Sequence, residues 1–86
     1  MEFIHAREYL QGGQSVRVDC DTQCNVMLTD DSNFNSYRTG QRFTCYGGHA
    51  QRFPVILTAP HSGHWNVTID LAGASANIRY SINVIG

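Results

Sequence analysis

With 86 residues and a formal net charge of −1, the chain has room for one small domain and too little charge to hold a phosphate backbone, which excludes nucleic acid as a general partner. Its six cations are all arginine, and the lack of lysine removes Schiff-base chemistry, a lysine nucleophile and a Walker-type phosphate loop. Apolar residues make up 42% and charged residues 15%, the balance of a folding globular domain rather than of a disordered segment.

In chain order, the opening MEFIHAREYL mixes charges with apolar residues and lacks the run that a signal peptide or membrane span needs, so a cytoplasmic domain without membrane contact is expected. Its segment FIHAREYL is read as a strand, closed by Gly12 and Gly13. In SVRVDC, Val16, Val18 and Cys20 alternate with Arg17 and Asp19, the period of a half-buried strand. A turn at Asp21–Gln23 leads to the strand NVMLT. Next come QRFTCY, a turn at Gly47 and Gly48, and RFPVILT, whose Pro54 requires an edge or bulge position. After the Pro60–Gly63 turn, HWNVTIDL gives the clearest alternation: Trp65, Val67, Ile69 and Leu71 share one face, and His64, Asn66, Thr68 and Asp70 the other. The sequon at Asn66 therefore falls within a strand. A turn over 73–75 precedes NIRYSINV, with Ile78, Tyr80, Ile82 and Val84 inward. Helical spacing is nowhere sustained. Turn signals at intervals of roughly eight to twelve residues predict an all-β domain over residues 1–86: a single small antiparallel β-sandwich or partly closed barrel of about six to eight short strands.

The segment LTDDSNFNSYRTG interrupts this pattern. As an EF-hand loop starting at Asp31 it has Asn33 and Asn35 in ligand positions, but Ser36 replaces the bend glycine and Arg42 the bidentate glutamate. Read as a capped turn, its Asp, Ser and Asn side chains take up backbone N–H groups. Phe34 and Tyr37, three apart, share one side of a helical turn and cover an open end of the core.

Three cysteines, Cys20, Cys24 and Cys45, are an odd number and fit a reducing compartment. With His49 they form a C-x3-C and C-x3-H pair, a loose zinc pattern whose alternative is buried thiols behaving as small apolar side chains. No nucleophile, base and orienting acid stand in a recognisable arrangement, so an enzyme is not expected and no cofactor is called for.

Read together, FIH, VRVDC, NVMLTDDSNFNSY, YGGH and APHSGHWNVTIDL resemble a bacterial domain-of-unknown-function family, a small all-β domain met alone or attached to a TIR domain. The resemblance implies a compact sandwich or barrel and transfers no catalytic residue. The expected function is a non-catalytic binding or sensing module for a protein or small-molecule partner. Its contact residues are expected to be Asn33, Asn35, Arg38, His61 and His64, polar groups on loops of a rigid scaffold. Two alternatives stand beside it: a zinc or calcium module through Cys20, Cys24, Cys45 and His49 or the aspartate loop, and a homo-oligomer built through the apolar stretch Phe53–Leu57.

Overall fold

The computed structural model describes residues 3–71 and 78–86. These hold seven strands and one helix: β1 (Phe3–Leu10), β2 (Ser15–Cys20), β3 (Cys24–Asp30), α1 (Asp31–Arg38), β4 (Tyr46–Ala50), β5 (Val55–Thr58), β6 (Gly63–Asp70) and β7 (Tyr80–Ile85). One sheet runs β1-β6-β3-β4 and the other β5-β2-β7, every pairing antiparallel. The sheets do not close into a barrel, so of the two expected forms the sandwich is the one adopted.

Register shows how alternation becomes a core. Ile4, Ile69 and Val26 lie side by side across three strands of the larger sheet, while Val18 sits between Val55 and Ile82 in the smaller one. These inward rows meet around Leu10, Val16, Leu28, Trp65 and Val67, all buried. Trp65 points inward as expected, its Nε1–H donating to the His61 carbonyl at 3.0 Å, which satisfies the one polar group of a buried indole. On β7 the expected phase holds, but Tyr80 and Val84 are 49% and 42% exposed, because β7 ends its sheet.

Three local readings are corrected. LTDDSNFNSYRTG forms a two-turn helix rather than a loop with a single turn. Its residues are poor helix formers, and the ends supply what propensity lacks. The Asp30 carboxylate accepts from the Asn33 backbone N–H at 2.7 Å, Asp31 and Arg38 carry the charges that suit each terminus, and Gly40 leaves at φ 77°. QRFTCY is not a strand. The chain is irregular over 41–45, and β4 begins at Tyr46 and runs through the two glycines expected to form a turn. Gly47 can belong to a strand here because it has φ 97° and lies so close to the Val26 carbonyl oxygen that no β-carbon would fit. Pro54 stands just before β5 rather than inside a strand, and β5 is an edge, the position a missing N–H tolerates. The turn expected over 73–75 lies outside the described residues.

The larger sheet is covered on both faces. On its outer face His5, Thr68 and Met27 form one row and Arg7, Asn66 and Thr29 the next, and α1 packs across them. The Phe34 ring stacks on His5 at 4.0 Å, and Phe3, Tyr37 and Phe43 join edge to face at 5.2–5.4 Å. Phe34 and Tyr37 thus cover the outside of the sheet, not an open end of the core.

Candidate functional site

Beneath α1 the outer face carries a chain of polar contacts. Arg7 donates to Asp31 through Nε and Nη2, at 3.1 and 2.7 Å. Asn66 Nδ2 donates to Asp31 Oδ1 at 2.9 Å and to the Thr29 carbonyl at 3.3 Å. His5 Nε2 donates to Asn66 Oδ1 at 2.7 Å, since an amide oxygen can only accept. The Arg7 guanidinium, and then the Asn66 amide, hold the Asp31 carboxyl well below the usual carboxylate range. At the far end of the helix the Tyr37 hydroxyl donates to Asp70 at 2.6 Å. Burial first, and then that bond, push the phenol up. Asn66, Thr68 and Thr29 are all but inaccessible, and the Thr29 and Thr68 hydroxyls make no hydrogen bond among the described residues. This layer fixes α1 to the sheet. Its donors and acceptors are largely spent on one another.

The five residues expected to form a contact face are dispersed. Asn33 is structural: its amide donates to Asp30 and its carbonyl accepts from the Thr44 backbone N–H at 2.9 Å. Asn35 and Arg38 pair with each other on the exposed side of α1 at 3.1 Å. His64 lies on the outer face of β6 against Tyr9, while His61 sits at the β5–β6 turn over the Trp65 ring. Helix formation over 31–38 also removes the loop that a calcium site would need, with Asp31 already committed to Arg7.

The proposed zinc ligands do not converge either. Cys24 lies opposite Ala50 in register and packs inward, His49 is the next position along β4 and takes the opposite face, and Cys45 precedes Tyr46, which pairs with Leu28 near the other end of β3. No group of three His, Cys, Asp or Glu side chains among the described residues is placed to hold a metal.

A different feature emerges at β4. This strand pairs only with β3 among the described residues, and beside it runs an open groove of about 620 Å³ lined by Gly47, Gly48, His49, Ala50, Gln51, Arg52 and Val55. Two successive glycines leave main chain uncovered along it. Arg7 and Arg17 are neutralised by Asp31 and Asp19, whereas Arg52 forms no ion pair among the described residues. The sequence hides the groove because two successive glycines read as a turn. The signal was present as GGHAQR, with small residues followed by an imidazole and a guanidinium.

Two open antiparallel sheets, one bearing a helix on its outer face, define a small all-β sandwich domain. The chain belongs to the family described as Domain of unknown function (DUF1883), whose sequence model matches residues 1–86, as the NVMLTDDSNFNSY and GHWNVTID segments led one to expect. No curated protein matches the chain, and no solved structure does. No helix among the described residues is long and apolar enough to cross a membrane.

Proposed function

We propose that this domain is a non-catalytic recognition module that takes a small ligand bearing an oxyanion, carboxylate or phosphate, in the groove beside β4. The observation carrying this reading is the groove itself, lined by Gly47, Gly48, His49 and Arg52, the last without an acidic partner among the described residues. A guanidinium stays charged at every relevant pH and presents paired donors to an oxyanion. The groove is open to water, so charge developing in a reaction would be screened there. Binding is therefore better served than catalysis, which relies on water-excluded dipoles. Three free thiols make a reducing compartment the fitting place of work.

The test is a titration of the isotopically labelled chain with inorganic phosphate and, separately, with acetate, read as amide shifts. Saturable shifts at Gly47, Gly48 and Arg52 are expected, and the stronger of the two anions indicates which ligand class the groove prefers. Arg52→Gln should weaken binding about 10-fold or more, the loss of a charge-assisted hydrogen bond worth about 1.5–3 kcal/mol. Shifts that do not saturate, or a titration unchanged in Arg52→Gln, would overturn the assignment.

A further inference from the structure

We infer that Cys20 and Cys24 form a thiol–disulfide exchange site, with Cys20 the thiol attacked from solution and Cys24 the thiol that resolves the adduct. The chain crosses from one sheet to the other between them: Cys20 ends β2 in the smaller sheet and Cys24 opens β3 in the larger. Both belong to the inward phase of their strands. Cys20 packs against the core cluster that contains Cys24, and only the short turn at 21–23 separates the two along the chain.

Their exposure is unequal in the way this chemistry requires. Cys24 is 3% exposed. Cys20 is half-buried and lines two surface clefts, of about 360 Å³ with Arg79 and Tyr80 and about 300 Å³ with Thr22, Gln51 and Phe53. A small disulfide can therefore reach Cys20, while Cys24 lies behind it in the core that Cys20 packs against, closed to solvent. Burial, and then the neighbouring Cys20 thiol, push the Cys24 thiol up to about 12. It is therefore protonated at neutral pH and is not the first nucleophile.

With a low-molecular-weight disulfide RSSR as oxidant, the Cys20 thiolate attacks one sulfur. A bond forms between Cys20 Sγ and that sulfur, the S–S bond of RSSR breaks, its other sulfur leaves as RS⁻, and the proton given up by Cys20 ends on that thiolate. Cys24 then attacks Cys20 Sγ, the mixed disulfide breaks, and the second RS⁻ takes the Cys24 proton. The two protein thiols are oxidised to one disulfide and RSSR is reduced to two RSH. The high proton affinity of Cys24 makes the second step the slower one, so the mixed disulfide should be visible before it collapses.

The experiment uses the full chain carrying Cys45→Ala, which leaves only this pair, treated at neutral pH with excess hydroxyethyl disulfide and followed by intact mass and peptide mapping. Expected is a single hydroxyethylthio adduct on Cys20 that converts to a species two hydrogens lighter than the starting chain, with Cys20 joined to Cys24. In the Cys45→Ala, Cys24→Ser chain the reaction should stop at the Cys20 adduct, with unchanged Trp65 fluorescence showing that the fold is kept. An adduct that persists unresolved in the Cys45→Ala chain, labelling of Cys24 before Cys20, or reaction only after unfolding in urea would each overturn the inference.

Discussion

Asn66 is the residue on which the helix-covered face turns, and its replacement by alanine tests the account of that face. The side chain is 1% exposed and bonds to His5, Asp31 and the Thr29 carbonyl. An intramolecular hydrogen bond contributes about 0.5–1.5 kcal/mol net, and an acceptor stranded away from water costs about 1–3 kcal/mol. The Thr29 carbonyl has no water to replace the amide, whereas the His5 and Asp31 atoms reach solvent and regain part of their loss. The expected sum for Asn66→Ala is about 2–3 kcal/mol. A domain this size has roughly 4–13 kcal/mol in total at ~0.05–0.15 kcal/mol per residue, so the midpoint of thermal unfolding should fall by roughly 10–20 °C. Urea unfolding followed by Trp65 fluorescence measures it, since the indole lies on the opposite face of β6 and reports the core. Asn83→Ala, an exposed position on β7, serves as a control and should stay within about 0.5 kcal/mol. Asn66→Asp adds a distinguishing arm: a second carboxylate facing Asp31 should destabilise more than alanine at neutral pH, and that excess should shrink as acid protonates the pair. A loss below about 0.5 kcal/mol for Asn66→Ala, or an Asn66→Asp deficit that does not change with pH, would refute the reasoning.

Two further outcomes follow from the same geometry. The Asp31 carboxyl is depressed in the folded state by Arg7 and Asn66, so its contribution is fully present above the unfolded value of about 3.9 and declines progressively as pH falls from there through the depressed folded-state value. Asp31→Asn should therefore be less stable than the parent chain at pH 7, with the two converging in melts recorded below about pH 4; a gap constant from neutral to acid would count against the ion pair. At Gly47 a β-carbon would meet the Val26 carbonyl in a backbone conformation of φ 97°, so Gly47→Ala should cost about 2 kcal/mol or more, while Gly40→Asn, at φ 77° in open space, should cost a few tenths of that. Chemical denaturation of the two variants side by side checks the contrast, and equal losses would contradict it.

What the sequence discloses depends on whether a residue's role is written in its own neighbours. HWNVTIDL reads as a half-buried strand because Trp65, Val67 and Ile69 alternate with polar residues, and that face is indeed the core. The polar side reads as wet and is not. Asn66 and Thr68 are buried on the face that α1 packs across, a helix that arrives from more than twenty-five residues earlier in the chain, and no local period records that cover. α1 escaped notice because its propensities are poor and its stability comes from Asp30, from Gly40 and from aromatic packing on β1. β4 escaped because glycine normally weakens strands, whereas here a close approach to Val26 demands it. The candidate site follows the same rule: polar loop residues drew attention through their side-chain chemistry, and the groove depended on glycines that have none.

The arginines show why the ligand face is better sought beside β4 than over α1. Arg7 is held in two bonds by Asp31, Arg17 meets Asp19 at 3.1 Å, and Arg38 donates to Asn35. An incoming anion at Arg7 must displace a carboxylate that the surrounding donors keep ionised far into acid, so it gains one charge-assisted contact by destroying another. At Arg52 no such exchange is required among the described residues, and the interaction with an oxyanion is gained whole. The cleft beneath Cys20 shares Gln51 with this groove. A group carried on Cys20 would therefore sit at the groove's rim, where it competes for space with the anion. Phosphate affinity measured on the Cys20 adduct of the Cys45→Ala, Cys24→Ser chain should fall below that of the free thiol, joining the two sites through a side chain they have in common.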